Sequence, residues 1–266
     1  MDAKKECEEM TETWIKFENA TTNTFNLVSR LTTECFSNDK DNGGLATELF
    51  DNGFNEDEVL ALIHDLIIAA ADTTSYSTLW SLYLLASNPT IQEKARKEVD
   101  ELPQNNLLLR ENLPYLHWCN KESMRMFPVA PFLTRILDKP IKLSEEWNEE
   151  TLKKDQLILM SSYAMSRNEK YFESPERFWP ERWERVEKKQ LRGVSGDDGS
   201  FASLPFGHGA RRCIGIKIAE NQMTYFLARV LQTFKFQSEN KNEVKYQMKL
   251  IGMPDQPIHV SLSKAS

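Results

Sequence analysis

Cysteine is scarce in this sequence, and its copies are widely spaced. The 266 residues contain four, with no CxxC pair among them: Cys7, Cys35, Cys119 and Cys213. Disulfide frameworks and structural zinc sites need several cysteines at short, regular spacing. The spacing argues against both kinds of site and favours a reducing compartment.

Basic residues are not in excess either. The chain has 33 lysines and arginines against 40 aspartates and glutamates, which gives a formal net charge of -7. Proteins whose main partner is nucleic acid neutralise phosphates with a basic surface. We therefore expect no nucleic-acid partner. The length allows one large domain or two small ones.

Long apolar runs and a basic leader are also missing. The longest apolar run, 59–71, contains His64 and Asp65 and is shorter than the roughly 20 residues that cross a bilayer as a helix. The first ten residues, MDAKKECEEM, are acidic, whereas secretory and transit peptides are basic and apolar. This pattern predicts no signal peptide.

The clearest element that is present is a long helix over 55–88. Asn55 and Glu58 have the spacing of a capping box at a helix start, and the dipeptide NP at 88–89 is typical of a break before a new helix. At 1.5 Å per residue, roughly 32 helical residues are about 48 Å long. Such a helix crosses a whole domain.

The middle of this helix contains the segment AAADTTS. Asp72 and Thr73 are poor helix formers, because their side chains compete for backbone groups. They mark either a bend or solvent-facing patch, or a carboxyl and a hydroxyl placed in a buried groove.

Two ExxR pairs occur in the chain. Glu122 and Arg125 lie on a helix predicted over 113–126, and Glu93 and Arg96 repeat the spacing on the preceding helix. Because the spacing occurs twice, it is uninformative alone, and we expect replacement of Arg96 by alanine to be nearly silent.

The rest of the chain alternates short elements. Apolar bursts between 129 and 162 predict small strands. A proline- and aromatic-rich segment beginning at 168 predicts an irregular meander up to 205, and helical spacing returns over 216–234.

One stretch, FGHGARRCIG at 206–215, has an unusual composition. Gly207 and Gly209 predict a tight turn or a close approach of the backbone to another group. Two arginines precede Cys213, which stands just before a predicted helix start, and both features favour the thiolate form of cysteine.

Three roles are open to this cysteine. A nucleophile needs a histidine base from elsewhere in the fold, which His64, His117 or His259 would have to supply. A plain buried cysteine explains neither the glycines nor the arginines. A thiolate ligand of haem iron explains both, because the loop must approach a flat macrocycle and cations must bind its propionates.

FGHGARRCIG resembles the haem-binding loop of the cytochrome P450 family. The resemblance implies haem b (iron protoporphyrin IX) as cofactor, with Cys213 as its axial thiolate and Arg211 on a propionate. It covers the chain from about residue 55 onward. The matched positions are Phe206, Gly207, Gly209, Arg211, Cys213 and Gly215.

Further motifs follow in the family's order. AAADTT resembles its central-helix motif, which implies that Asp72 and Thr73 deliver protons to dioxygen. Arg135, after VAPFLT, resembles its second propionate arginine.

The second ExxR pair and the second PER motif also match the family. The resemblance implies that Glu122, Arg125 and Arg182 form one carboxylate–guanidinium network, which pins the meander to the helix behind the haem loop.

The resemblance implies a mainly α fold with small β-sheets (α+β), the C-terminal part of the P450 fold, with its long central helix and cysteine loop packed on haem. The chain would be a single partial domain, 1–266. Its segments would be helices in 1–54, the central helix 55–88, the ExxR helix 113–126, the meander 168–205, the haem-binding loop 206–215 and a following helix 216–234.

Three features depart from the family. Ala70 stands where glycine is usual, and the polar stretch SEEWNEETLKKD replaces the usual Gly-Tyr-x-Pro hairpin. The family is also about twice this long, and its first half carries the membrane anchor and the roof of the substrate pocket.

The function implied is that of a haem-thiolate monooxygenase, which uses dioxygen to hydroxylate a lipophilic substrate, with steroids as the candidate class. Apolar residues would hold this substrate, for example Ile67, Ile68, Val129 and Phe132. Haem-thiolate isomerases and dehydratases are a weaker match, because they often lack the Asp–Thr pair.

The segments ERW and IAENQM resemble the mitochondrial group, and AAADTTSYSTLW resembles arthropod ecdysteroid hydroxylases, although Ile216 replaces a basic residue common there. This implies a peripheral protein of the mitochondrial inner membrane that accepts electrons from an acidic ferredoxin. The ferredoxin would dock on a basic patch, which we expect to contain Arg211, Arg212, Lys217 and Lys121.

Two alternatives remain. The endoplasmic reticulum membrane with a flavin-containing reductase would replace the mitochondrial assignment. A partial or truncated chain, without haem or catalytic activity, would replace the enzyme.

Overall fold

A computed structural model describes residues 3–38, 44–102, 110–145, 149–186, 191–195 and 201–265. The chain forms two compact units, Met1–Ala71 and Asp72–Ser266. The division falls inside one long helix.

The first unit contains α1 (Ala3–Asn38), α2 (Leu45–Asp51) and the first half of α3 (Glu56–Ser87). The capping box predicted at the start of α3 is present. The Glu58 N–H donates to Asn55 Oδ1 at 3.0 Å, and the Asn55 N–H donates to Glu58 Oε2 at 2.9 Å. These reciprocal bonds satisfy two backbone donors that a helix start leaves unpaired.

The apolar stretch of α3 extends beyond the run 59–71. By length and composition α3 could cross a membrane, a test that core helices of globular proteins also pass. From Ser77 to Ala86 many of its side chains are buried, among them Trp80, Leu85 and Ala86.

The second unit continues α3 and adds α4 (Pro89–Asp100), α5 (Pro114–Met126), α6 (Ser162–Met165) and α7 (Ile216–Thr233). Proline opens both α4 and α5, where its missing N–H would have no helical partner in any case. One apolar core joins the last turns of α3 to α4, α5 and α7. Its fully buried members include Trp80, Leu85, Ala95, Val99, Leu116, Cys119, Leu227 and Leu231.

The sheets of this unit are small, as the sequence predicts. Among the described residues there are four antiparallel two-stranded sheets. They pair β1 (Phe132–Ile136) with β4 (Leu157–Ser161), β2 (Ile141–Lys142) with β3 (Thr151–Leu152), β5 (Phe234–Ser238) with β8 (Val260–Lys264), and β6 (Tyr246–Met248) with β7 (Gly252–Pro254).

One of these pairings bears on the candidate site. In the first sheet Arg135 pairs with Ile158, which fixes the arginine in mid-strand.

The meander has a small core of its own. Phe172, Trp183, Val194 and Ala202 are buried together, and Pro180–Trp183 is a short 3₁₀ helix beside α5. This packing lets a segment without long helices or strands hold fixed positions for its arginines.

Candidate functional site

The cysteine loop is closed by its own backbone. The Cys213 N–H donates to the Phe206 carbonyl at 2.9 Å, and Gly209–Arg211 forms a single 3₁₀ turn. Gly207 and Gly209 have φ values of 70° and 74°, a left-handed conformation that side chains other than glycine rarely adopt. The loop therefore depends on both glycines.

Cys213 is presented at the end of this loop. Its side chain is exposed, and α7 begins three residues later after the helix cap Gly215. The other cysteine with a described side chain, Cys119, is fully buried, and burial raises the pKa of its thiol well above the ordinary range. Cys7 and Cys35 have no described side chain. Of the two that are described, only Cys213 can reach a ligand.

Both arginines predicted to bind propionates lie at this loop. Arg135 Nη2 donates to the carbonyl of His208 at 3.4 Å, and its Nη1 donates to the carbonyl of Thr134 at 2.7 Å. Arg211 is exposed at the end of the 3₁₀ turn. β1 thus reaches the cysteine loop through a guanidinium.

The residues of this loop fit a haem. A β-carbon built on Gly207 would lie 3.8 Å from Leu133 Cδ2, and one built on Gly209 would meet nothing within 4 Å, so the glycines leave the backbone open to a flat group. The donor set is one exposed thiol and two guanidinium groups. These are the groups that an iron and two carboxylates require.

His208, the histidine nearest to Cys213 in sequence, packs its ring edge-on against Phe201 at 5.2 Å between ring centres.

The structure brings Glu122, Arg125 and Arg182 together. All three are fully buried. Arg125 binds the carboxylate in a fork, with Nε 3.0 Å from Oε2 and Nη2 2.9 Å from Oε1, while Arg182 Nε donates to Oε1 at 3.1 Å. Two donors that the sequence did not predict complete the set, since Trp183 Nε1 donates to Oε2 at 3.0 Å and the Trp179 N–H to Oε1 at 3.3 Å.

The remaining guanidinium donors bind backbone carbonyls of the meander and of the segment before it. Arg125 donates to Ser166 and Pro175, each at 2.7 Å. Arg182 donates to Gly193 at 2.7 Å and to Ser174 at 3.2 Å. The two arginines thus fix the course of a chain segment that has little regular structure.

Gly193 is required by this arrangement. A β-carbon at this position would lie 2.8 Å from Trp179 Cζ3 and 2.9 Å from Arg182 Nη1. Both distances are shorter than real contacts, so a larger residue would push the arginine away from Glu122.

Asp72 and Thr73 lie within α3. Neither the cysteine loop nor the buried group of Glu122, Arg125 and Arg182 belongs to this helix. Asp72 is exposed and Thr73 is half-buried. Of the apolar residues expected to touch a substrate, Ile67 and Ile68 are exposed in the first unit, while Val129 is half-buried and Phe132 exposed in the second.

Arg96, whose replacement by alanine is expected from the sequence to be nearly silent, is buried and hydrogen-bonded in the structure. Arg96 is 5% exposed, and its guanidinium donates to the carbonyls of Leu231 and Phe234, the latter at 2.6 Å. The sequence does contain a signal for this burial, because Gln92, Ala95 and Val99 form the buried face of α4 and Arg96 lies four residues after Gln92.

Lys121 also differs from the expectation of a free surface charge. It is half-buried, and its ammonium group lies 4.3 Å from the centre of the Trp183 ring. This is a cation–π contact at the ExxR cluster. Arg211, Arg212 and Lys217, the other three residues of the predicted basic patch, are exposed.

Comparison with known proteins places these features in a family. A family model described as Cytochrome P450 matches residues 2–262. The mitochondrial cholesterol side-chain cleavage enzyme of Hypanus americanus is 35% identical over 225 residues, which are 83% of this chain and 41% of that protein. The mitochondrial 1,25-dihydroxyvitamin D(3) 24-hydroxylase of Mus musculus is 38% identical over 192 residues, 71% of this chain and 35% of that protein.

An arthropod relative has a similar sequence identity and coverage. The mitochondrial cytochrome P450 315a1 of Drosophila melanogaster is 34% identical over 206 residues, 77% of this chain and 36% of that protein. The chain spans between 35% and 41% of the length of these three relatives.

The fold agrees with a solved structure. A crystal structure of a cytochrome P450 superposes with a TM-score of 0.76 at 21% identity, covering 92% of this chain and 56% of that one. This confirms the predicted mainly helical fold with small sheets, present here in part.

Proposed function

The chain belongs to the cytochrome P450 family, and from this premise we propose that it forms part of a haem-thiolate monooxygenase. The observation that carries the proposal is the exposed Cys213 in a closed loop with two left-handed glycines, three residues before α7 begins. When bound there, haem b supplies the activation of dioxygen, one atom of which enters a C–H bond of the substrate.

The residues that would hold this haem are those of the cysteine loop and of β1. Cys213 would be the axial thiolate, and Arg211 and Arg135 would bind the propionates. The hydrogen bond from the Cys213 N–H to the Phe206 carbonyl closes the loop and fixes the backbone that carries the sulfur.

Proton supply is the role we propose for Asp72 and Thr73. Asp72 would take up the protons, and Thr73, half-buried beside it on α3, would pass them on. Replacement of Thr73 by alanine should keep haem and substrate binding but raise peroxide yield per electron consumed. Unchanged coupling would remove this role from Thr73.

The substrate that we propose is lipophilic, of the steroid class. One support is the names of the relatives, which refer to cholesterol and vitamin D. The other is the apolar side chains at the start of β1 and in the segment before it, Phe132 and Val129. The relatives' names also support a mitochondrial location, which we propose as peripheral to the inner membrane.

An acidic ferredoxin is the electron donor that we propose. The exposed cations Arg212 and Lys217 flank Cys213 and would steer an acidic partner, so association should weaken as salt rises. Lys217→Glu should slow reduction by ferredoxin at low ionic strength and leave substrate binding unchanged. Reduction by a flavin-containing reductase alone would instead favour the endoplasmic reticulum.

The decisive experiment is the absorption spectrum of the reduced carbon monoxide complex. In the natural full-length polypeptide we expect the band of a thiolate-bound haem. Cys213→Ser should abolish it, and Cys119→Ser, which changes a buried thiol in the core, should keep it. A thiolate band in Cys213→Ser would overturn the proposal. The same spectrum recorded on residues 1–266 alone tests whether this chain binds haem by itself.

A further inference from the structure

α4 carries buried polar side chains whose partners are backbone groups of other elements. Gln92 and Arg96 are 6% and 5% exposed, and Glu98 is half-buried. Buried polar groups of this kind need hydrogen-bond partners, and here those partners lie at the ends of three other helices.

Arg96 serves the C-terminal end of α7. The last carbonyls of a helix have no partner within it and carry partial negative charge. The last turn of α7 has no basic residue of its own. Arg96 supplies the missing donors from another helix, through Nη1 to Leu231 and Nη2 to Phe234.

Gln92 and Glu98 serve two other helix ends. Gln92 Nε2 donates to the carbonyl of Leu85, in the last turn of α3, and both its amide atoms bond the backbone of Phe236. Glu98 accepts from the Tyr115 N–H at 2.7 Å and the Leu116 N–H at 2.9 Å. The first turn of α5 thus meets a carboxylate, and the last turn of α7 meets a cation.

The hydrogen bonds from Arg96 restrict movements of α7 that apolar packing alone would allow. Leu227 and Leu231 bury α7 against the core, but apolar contact is non-directional and tolerates small sliding or rotation of a helix. A planar guanidinium with two carbonyl partners allows neither. Midway along α7 the described residues add a bond from Asn120 Nδ2 to Thr224 Oγ1 at 3.2 Å.

We propose that Arg96 is a positioning residue for Cys213 and acts through α7. The inference rests on the proposed haem-thiolate function. α7 has 18 residues and begins three residues after the cysteine, so it is a rigid rod of about 27 Å. A shift of its last turn is transmitted along the rod to the loop that presents the sulfur.

The test uses the haem-loaded natural full-length polypeptide and three variants. Arg96→Met keeps the apolar stem and removes the donors, whereas Arg96→Lys keeps the charge but loses the planar fork. Val99→Ala is the control, because it removes two methyl groups from a fully buried apolar side chain of the same helix, which donates no hydrogen bond to α7. The readout is the ratio of the thiolate-type band to the blue-shifted band of thiol ligation, measured beside the denaturation midpoint.

We expect Arg96→Met to lose most of the thiolate-type band and Arg96→Lys to lose part of it. Val99→Ala should lower the midpoint and keep the wild-type ratio. A wild-type ratio in Arg96→Met, or an equal shift in Val99→Ala, would overturn the inference. If Arg96→Met yields no folded protein, Arg96→Lys decides, and a wild-type ratio there overturns the inference. A missing thiolate band in the wild type would instead contradict the proposed function.

Discussion

The two ExxR pairs have the same spacing and bury their arginines by different means. In the pair on α5 the glutamate and the arginine are both fully buried, and the guanidinium of Arg125 binds the carboxylate of Glu122. In the pair on α4 the glutamate side chain is 49% exposed, and its carboxylate lies 3.7 Å from Arg96 Nε. The guanidinium there turns to the carbonyls at the end of α7. A buried arginine can therefore be balanced by a carboxylate or by a helix end.

The two solutions differ in what a mutation leaves behind. On α5, removing the arginine leaves a carboxylate buried with fewer cations around it. On α4, removing the arginine leaves the carbonyl groups of Leu231 and Phe234 without this donor, while the carboxylate of Glu93 stays exposed to solvent. The energetic consequences should therefore differ, although the sequence motif is the same.

Arg125→Ala should have the largest effect. Glu122 would lose its forked partner while remaining fully buried, which costs about 3–5 kcal/mol. We expect haem-free, largely unfolded protein, measured by haem content and urea denaturation. Arg185→Ala is the control, because this arginine is exposed in the same meander and its loss should change stability by less than about 0.5 kcal/mol. Similar losses in both variants would contradict the role of burial.

Arg96→Ala should come second. Two carbonyls at the end of α7 would lose a charged donor, and hydrogen bonds to charged groups contribute about 1.5–3 kcal/mol. The loss should be visible as a lower urea midpoint of a protein that still folds. A change below about 0.5 kcal/mol would restore the expectation drawn from spacing alone. A loss as large as that of Arg125→Ala would remove the contrast between the two pairs.

The two pairs also show what the sequence can predict. The loop around Cys213 is local, because its glycines, arginines and cysteine lie within ten consecutive residues and its turn depends on their own φ angles. The capping box of α3 is local for the same reason. The partners of Arg96 lie 135 and 138 positions away, and they are backbone carbonyls, which every residue has. No residue type marks such a partner, so the sequence could indicate burial on α4 but not its purpose.

The sequence could not predict the position of Lys121 either, because its partner is also distant along the chain. Its contact with Trp183 depends on the packing of the meander against α5. Charge counting along the sequence assigns such a lysine to the solvent-facing surface.

Glu98→Gln should have a smaller effect, one that depends on pH. Glu98 accepts two backbone N–H bonds, and burial raises its pKa above the ordinary 4.5 despite those bonds. Because its pKa is raised in the folded state, Glu98 contributes stability that is present in full below pH 4.5. This contribution is lost as the pH rises through the folded-state pKa. The variant has no such loss, so its stability relative to the wild type should increase with pH, by less than about 1 kcal/mol because solvent screens the group.

Urea denaturation of both proteins between pH 4 and pH 8 measures this difference. Near equality is expected at the acid end, where a neutral carboxyl and an amide each offer one acceptor. A variant that loses relative stability as the pH rises would show that the α5 helix start stabilises the carboxylate more than burial disfavours it.

Glu93→Gln should have the smallest effect and is the sharpest test of the comparison. If spacing defined the pair, the loss of Glu93 would strand the buried Arg96, as loss of Glu122 would strand Arg125. The geometry predicts otherwise, because the carboxylate is half in water and Arg96 keeps both carbonyl partners. Exposed ion pairs contribute about 0–1 kcal/mol, and the 3.7 Å separation places this one near the lower end. The urea midpoint should therefore stay at the wild-type value at low and at high salt, while Glu122→Gln lowers it strongly at both. A salt-sensitive loss in Glu93→Gln comparable to that of Arg96→Ala would show that Glu93, and not the end of α7, balances the buried arginine.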